Sequence, residues 1–228
     1  MAKRSVYRVS ENNKKYIEEI EVDFKWYPGF AVSQKQKSIL DLHTEYNKIY
    51  KEDKVLEISS KSQLELGVKL SAFNLMITTK DNRTFSVESA FQSSKKFEFG
   101  GPYLDILEKK SREAKKDVRL KTSGKLISFE FYGKKWPLEP KTIFYDWLYM
   151  TTVYKNKELA SQIIEYDAFT DIEFNPNKSV NCQAKSAALF VSLSKRNLLE
   201  YAMTSIENYF DVILNNNKKN IAEQLSLF

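Results

Sequence analysis

Apolar and charged residues alternate along two stretches of the chain, and this period of two predicts half-buried strands. The first stretch covers residues 20–26 and ends at Pro28-Gly29. The second covers residues 127–131 and ends at Gly133. A shorter apolar run at residues 55–58 is a further strand candidate. The pattern therefore predicts several short strands spread along the chain.

A β-hairpin is predicted where residues 75–79 and 84–87 flank the polar turn 80–83. The hairpin leads directly into residues 87–97, which fit a helix that ends before Gly100-Gly101-Pro102.

Three polar side chains share one stripe of this predicted helix. Glu88, Gln92 and Lys95 are spaced four and seven residues apart along the first two turns, so they return to the same face. A carboxylate, an amide and an amine would converge there. On spacing alone, a glutamate and a lysine two turns apart are typical of a solvated helix face.

Helical spacing dominates much of the remaining sequence. It predicts helices over residues 33–49, 111–120, 136–148, 159–166, 184–199 and 201–214, with an irregular polar loop at 167–181. Helices thus outnumber strands, which predicts a single mixed α+β domain over residues 1–214. Residues 215–220 have the composition of a polar linker, and residues 221–228 follow it as a short peptide segment.

Composition places the chain among globular proteins. Its 228 residues are 42% hydrophobic and 14% aromatic, which is enough for one sizeable core. The net charge is +6 with a pI near 9.1, a balance compatible with a nucleic acid or another phosphate-rich ligand.

Residue counts exclude several kinds of chemistry. Cys182 is the single cysteine, so an internal disulfide is excluded. Because His43 is the single histidine, a structural zinc site and a Cys–His nucleophile pair are nearly excluded as well. The sequence contains neither a phosphate-loop motif nor a dinucleotide glycine fingerprint. No metal or cofactor is expected. A signal peptide and a membrane span are also missing from the pattern, so we expect a cytoplasmic protein that does not enter a membrane.

The stretch from Glu88 to Lys95 resembles the signature helix of the NADAR family, which runs Glu-His-aromatic-aromatic-Gln-small-small-Lys. Glu88, Phe91, Gln92 and Lys95 match in register, while Ser89 stands where the family usually has histidine. The resemblance extends over residues 70–193, although the loop before the last matching helix is short here.

The whole chain, including residues 24–30, looks most like the NADAR antitoxins encoded beside DarT-type toxins, which ADP-ribosylate guanine in DNA. This resemblance implies a NADAR/YbiA-like α+β fold and an enzyme that removes ADP-ribose from guanine. ADP-ribosylated DNA would be the substrate, and a DarT-type toxin the cognate partner.

The resemblance also suggests roles for individual residues. Lys95 would be the nucleophile that attacks the sugar, and Glu88 would shuttle protons. A lysine must be neutral to attack, so its pKa should be depressed. Gln92 is a candidate for substrate binding, and Gly100, Gly101 and Arg112 are candidates for binding a pyrophosphate. Trp136 would either stack on a base or pack in the core. Asp171, Glu173 and Asn181 would either bind ribose hydroxyls or cap a loop.

The last five residues resemble the short peptide by which bacterial replication and repair proteins bind the DNA sliding clamp. Gln224 would set the register by hydrogen bonds, and Leu225, Leu227 and Phe228 would fill an apolar groove. The sliding clamp is therefore a second expected partner.

Two other classes of function remain open on the sequence. The chain could act without catalysis, by binding a toxin or the clamp. It could also cleave an N-glycosidic bond in a small nucleotide or a riboflavin-pathway intermediate. Replacing Lys95 with alanine separates the first alternative from an enzyme, because a pure binder keeps its protective effect.

Overall fold

A computed structural model describes residues 1–12, 15–175, 180 and 182–214 of the chain, and strands and helices mix throughout them. The strands are β1 (Ala2–Val9), β2 (Ile17–Phe24), β3 (Val55–Glu57), β4 (Met76–Thr78), β5 (Thr84–Ser86), β6 (Lys95–Phe97), β7 (Leu126–Phe131), β8 (Lys134–Trp136) and β9 (Ala168–Thr170). The helices are α1 (Val32–Asn47), α2 (Glu65–Lys69), α3 (Val87–Ser93), α4 (Ser111–Lys115), α5 (Arg119–Thr122), α6 (Ile143–Lys155), α7 (Lys157–Ile163), α8 (Gln183–Lys195) and α9 (Leu199–Thr204). Leu104–Glu108 form a 3-10 helix, and residues 206–214 are helical. The mixed α+β prediction is confirmed.

The largest sheet has four strands in the order β2-β1-β9-β3. β1 and β2 pair as a long antiparallel hairpin, and β9 runs antiparallel to β1 but parallel to β3. Helix α1 covers one part of this sheet because its apolar residues recur at helical spacing. Ile39, Leu42 and Tyr46 pack there against Val22 and Phe24.

The larger core surrounds α8, which packs against β1 and α6. Alanines at positions 184, 187 and 188 are fully buried and allow close approach of the neighbouring elements. Helix α3 joins this core through Phe91, whose ring contacts Phe129, Phe144 and Tyr145. The short helix α3 is therefore held by a cluster of aromatic side chains.

Two small sheets precede and follow α3. β4 and β5 form the predicted hairpin, and β6, β7 and β8 form an antiparallel sheet. The strands predicted at residues 20–26, 55–58 and 127–131 also form, although their bounds differ by up to three residues from those expected. Because α3 starts directly after β5 and ends directly before β6, these two sheets fix both of its ends.

The prediction of a helix over residues 87–97 is wrong beyond Ser93. The hydroxyl groups of Ser93 and Ser94 donate to carbonyls of the preceding turn, those of Ala90 and Phe91. Such bonds compete with the regular helix pattern. The carbonyl of Ser94 then accepts from the amide of Glu130, so the chain joins a sheet instead of continuing as a helix.

Other helix predictions fail where tertiary contacts override local spacing. Trp136 does not open a helix but ends β8, and α6 begins later at Ile143. Residues 201–214 are split at Ser205, whose backbone is extended and whose hydroxyl accepts from the amide of Asn208, as expected of a helix start. Residues 111–120 likewise contain two short helices, and the region predicted as an irregular loop includes β9.

Candidate active site

Hydrogen bonds satisfy two backbone amides in the first turn of helix α3, those of Glu88 and Ser89. The hydroxyl of Ser86 accepts from the amide of Ser89 at 3.0 Å, which caps the helix. The amide of Glu88 donates to the carbonyl of Ala72 at 2.9 Å. Every residue of the helix is buried, including Glu88. The carboxylate of Glu88 is consequently held on a rigid element, with its side chain only 7% exposed.

Glu88, Gln92 and Lys95 form a continuous hydrogen-bonded row, although Lys95 lies in β6. The side-chain amide of Gln92 donates to Oε1 of Glu88 at 2.9 Å. The Gln92 oxygen accepts from Nζ of Lys95 at 2.7 Å. Nζ also lies 4.9 Å from the centroid of the Phe91 ring. The long side chain of Lys95 therefore reaches back over α3, and the three groups meet as the sequence predicts.

Burial changes the protonation of Lys95. Desolvation is the main reason that the pKa of its amine is lowered to about 8. The carboxylate of Glu88 opposes this shift, and the positive charge of Lys115 adds to it. Near neutral pH a larger fraction of this amine is therefore neutral than for an ordinary lysine. This is the property that a nucleophilic lysine needs.

Lys115 lies beside Glu88, although the sequence analysis assigned it no role at the site. Its Nζ lies 3.8 Å from Oε1 of Glu88 and 5.2 Å from the centroid of the Phe73 ring, and its side chain is half exposed. Arg112, the residue predicted nearby, is exposed and forms no ion pair within the described part of the chain. A helix as short as α4 has too few residues for spacing to reveal which cation faces the site.

Replacing Lys115 with methionine is expected to raise the pKa of Lys95, because one of the two causes that lower it disappears. The rate of acylation at Lys95 is measured as a function of pH by peptide mass spectrometry. This rate should increase around pH 8 in the wild type and at a higher pH in Lys115→Met. Lys116→Met, which removes an exposed neighbouring charge, serves as the control. Identical profiles for Lys115→Met and the wild type would contradict this assignment.

Gly101 packs closely against the backbone of Lys95. Gly101 has φ +77°, and a Cβ there would lie 2.3 Å from the carbonyl oxygen of Lys95. A Cβ on Gly100 would lie 2.2 Å from the hydroxyl of Tyr103. The amine of Lys96 donates to the Gly101 carbonyl and holds the turn against β6. Binding of a pyrophosphate by these glycines stays a prediction.

Asp171 lies directly after β9 and is partly exposed. Its carboxylate accepts from the amides of Glu173 and Phe174 at 3.0 and 3.1 Å and from the side chain of Gln183 at 2.9 Å. Burial, together with the nearby Glu57, raises its pKa to about 8. Both causes favour the protonated form of this carboxyl.

Asp171 and Glu88 are connected through two intermediate residues. The side-chain oxygen of Gln183 accepts from the amide of Ala72 at 2.6 Å, and the Ala72 carbonyl accepts from the amide of Glu88. Burial raises the pKa of the Tyr145 hydroxyl, and the charges of several groups, which include Glu88 and Asp171, raise it further. Asp171 is therefore linked by hydrogen bonds to the backbone of Glu88.

The other two predicted ribose-binding residues are less closely defined. The carboxylate of Glu173 is partly exposed and forms an ion pair with Lys35 at 3.4 Å. Asn181 lies outside the described residues, as do Gln224, Leu225, Leu227 and Phe228.

Trp136 is not brought to the site. It is 1% exposed, and its ring contacts Phe144, Trp147 and Phe210 at centroid distances of 5.3, 4.8 and 5.6 Å. Stacking on a base would require the core to open. The packing alternative therefore accounts for this tryptophan, which its aromatic character alone could not decide.

A comparison with known protein families gives a match that includes Glu88, Gln92 and Lys95. The sequence profile of the DarT1-associated NADAR antitoxins matches residues 2–223. The chain belongs to this family. No curated protein matches the chain. The match covers the N-terminal β1–β2–α1 region as well as α3, so the resemblance to DarT-associated NADAR antitoxins is confirmed.

Ser89 occupies the position of the usual NADAR histidine. Its hydroxyl donates to the carbonyl of Lys109 at 2.9 Å and lies 2.9 Å from the hydroxyl of Ser86. The side chain thus ties α3 to the segment before α4. In this NADAR protein the position has a structural contact, and the row of Glu88, Gln92 and Lys95 forms without a histidine.

The described part of this NADAR protein contains no group of three or more histidine, cysteine or acidic side chains that could hold a metal ion. His43 contacts the Thr170 hydroxyl at 2.8 Å, and burial lowers its pKa to about 4. Within the same residues, no helix is long and apolar enough to cross a membrane.

Proposed function

We propose that this DarT1-associated NADAR antitoxin removes ADP-ribose from guanine in DNA and so reverses the action of its toxin. NADAR family members are enzymes of the glycohydrolase type. The observation that carries the proposal is the hydrogen-bonded row in which Gln92 aligns Glu88 with the half-buried Lys95, whose amine has a pKa lowered to about 8. A partly neutral amine beside a fixed carboxylate suits cleavage of an N-glycosidic bond.

The proposed reaction begins when the neutral amine of Lys95 attacks the anomeric carbon of the ribose. The bond from this carbon to the guanine nitrogen breaks, and its electron pair leaves with guanine. The attached lysine nitrogen gives its surplus proton to Glu88, which delivers it to the departing guanine nitrogen. The sugar ring then opens to a Schiff base, and one water molecule hydrolyses it to restore the lysine and release ADP-ribose.

Gln92 would position both reacting groups. Its amide cannot gain or lose a proton near neutral pH, and its two ends distinguish donor from acceptor. It therefore holds the amine of Lys95 on one side and the carboxylate of Glu88 on the other, without adding a charge between them.

The decisive experiment incubates the protein with an oligonucleotide that is ADP-ribosylated on guanine and follows the mass of the DNA. We expect conversion to the unmodified oligonucleotide. If the DNA stays modified while a known glycohydrolase removes the group, the result favours non-catalytic toxin binding. Activity confined to small ADP-ribosylated nucleosides would instead favour the small-nucleotide alternative.

The peptide Gln224–Phe228 is proposed to bring the enzyme to replicating DNA through the sliding clamp. A labelled peptide of residues 215–228 should bind the purified clamp, and Phe228→Ala should weaken binding by about tenfold or more, because apolar anchors dominate such grooves. Ser226→Ala, at a position given no contact, should bind like the wild type. Equal affinities for all three peptides, or no binding, would contradict the proposal.

A further inference from the structure

The positive charge of the chain is concentrated in one segment. Residues 109–125, here called the basic segment, contain eight lysines and arginines and two acidic residues, a net charge of +6. The whole chain also has a net charge of +6, so the other residues together sum to zero. A charge of this density is a strong attraction for a polyanion.

One of the two acidic side chains in this segment is used to brace it. Asp117 is buried and accepts from Lys109 at 2.6 Å and from the side chain of Arg119 at 2.9 Å. These donors hold the pKa of Asp117 well below its usual range. Arg119 also binds Asp105 at 2.6 Å and lies 4.4 Å from the Tyr103 ring centroid. These side-chain contacts therefore hold the basic segment in a fixed position.

The remaining cations of the segment point to solvent. Five of them are exposed and form no ion pair within the described part of the chain: Lys110, Arg112, Lys116, Lys121 and Lys125. Unpaired cations on a braced support are available to bind phosphate groups without first breaking internal salt bridges.

The basic segment lies beside the proposed reacting groups. Helix α4 packs on α3, and Lys115 lies 3.8 Å from Glu88. The other end of the segment contacts the turn after β6, because the amide of Phe99 donates to the Ser123 carbonyl at 3.0 Å. The basic segment thus contacts Glu88 at one point and Phe99, four residues after Lys95, at another.

Phe99 gives this surface an aromatic platform. Its side chain is 80% exposed, yet one side of the ring lies against Gly124. A Cβ on Gly124 would lie 2.8 Å from this ring. The ring therefore approaches the basic segment at Cδ2 and Cε2 and is otherwise largely exposed, so it is available for stacking, as are the aromatic rings that bind bases of single-stranded nucleic acids beside rows of cations.

We propose that the basic segment and Phe99 form the binding surface for the DNA strand that carries the modified guanine. The phosphates would bind Lys110, Lys116, Lys121 and Lys125, and a neighbouring base would stack on Phe99. This proposal rests on the proposed function and narrows it, because the substrate would be recognised as a polynucleotide and not only as an ADP-ribosylated base.

The test compares two variants of equal net charge. The first variant replaces four lysines of the basic segment with glutamine: Lys110, Lys116, Lys121 and Lys125. The second replaces four exposed lysines elsewhere with glutamine: Lys37, Lys51, Lys54 and Lys157. The net charge of each variant falls from +6 to +2. Binding of a fluorescent single-stranded oligonucleotide is measured by anisotropy at several salt concentrations. The first variant should bind at least about tenfold more weakly, and its salt dependence should be shallower by about 0.7 for each phosphate that is no longer neutralised. The second should bind within about threefold of the wild type.

The aromatic platform has its own matched pair. Phe99→Ala should weaken oligonucleotide binding by about fivefold or more through loss of stacking, whereas Phe30→Ala, at an exposed phenylalanine outside the basic segment, should leave it unchanged. Equal binding by the two lysine variants, equal binding by the two phenylalanine variants, or no binding by the wild type would overturn the proposal.

Kinetics separate this surface from the proposed function. The first lysine variant should lose kcat/KM on the ADP-ribosylated oligonucleotide but keep it on ADP-ribosylated guanosine. If the wild type cleaves neither substrate and the binding differences still hold, the surface stands and the proposed activity fails. If both substrates are cleaved and the two lysine variants behave alike, the activity stands and the surface fails.

Discussion

Replacement of Lys95 by methionine is expected to lower kcat/KM for release of ADP-ribose from guanine by roughly 10³-fold or more, because the attacking atom is removed. Methionine is the best substitute for this test, since it fills most of the same volume. It also removes a charge that is buried at a cost, so the protein should melt at the same temperature or higher. Loss of activity with retained folding is therefore the expected pair of results.

Lys95→Arg tests whether the charge or the nucleophile matters. Arginine keeps a positive charge and can still donate to Gln92, but it stays protonated and cannot attack a carbon atom. We expect it to be as inactive as Lys95→Met. Reduction with borohydride during turnover should attach ADP-ribose covalently to the wild type and to neither variant, as shown by the mass of the protein.

The matched control is the adjacent lysine. Lys96 contacts the Gly101 carbonyl and does not join the row of polar groups on α3. Lys96→Met should therefore keep activity within about tenfold of the wild type. Substantial turnover by Lys95→Arg, or an equal loss in Lys96→Met, would sink the assignment of Lys95 as the nucleophile.

The sequence predicted the row of Glu88, Gln92 and Lys95 for a reason that is only partly correct. Helical spacing placed all three on one face, but Lys95 lies in a strand. The row forms nevertheless because a lysine side chain is long enough to return over the end of the helix. Its recognition depended on the NADAR resemblance, since spacing alone would have favoured a solvated surface.

Other features were beyond the reach of local pattern. The exposed turn of the β4–β5 hairpin follows from residue types, and so do the alternating strands β2 and β7. The burial of Trp136 and the position of Asp171 near Glu57 depend on elements distant in sequence, which no local window contains. The same holds for Lys115, whose relation to Glu88 is fixed by packing of α4 on α3.

Gly101→Ala is expected to destabilise the protein by about 3 kcal/mol or more, from two separate causes. An alanine at φ +77° is strained by about 1–2 kcal/mol, and its Cβ would also lie 2.3 Å from the carbonyl oxygen of Lys95. Because that oxygen belongs to the backbone, the contact cannot be relieved by a rotation of a side chain. At about 2–4 °C for each kcal/mol, the melting temperature should fall by roughly 6 °C or more.

Gly133→Ala isolates the first cause from the second. Gly133 has a similar φ of +72°, but a Cβ there meets nothing within 4 Å. It should therefore show only the backbone strain, a loss of about 1–2 kcal/mol. Equal destabilisation by the two substitutions would contradict a special contact between Gly101 and Lys95.

The two glycine variants should also differ in activity. To accommodate the new Cβ in Gly101→Ala, the turn and the first residue of β6 must separate, which displaces the backbone that carries Lys95. A shift of about 1 Å in a reacting group can reduce turnover by about 100-fold. Gly133→Ala should retain nearly full kcat below its melting temperature. A stable, fully active Gly101→Ala variant would show that this turn does not position the lysine. Loss of kcat in Gly101→Ala alone would place the turn among the elements on which catalysis depends.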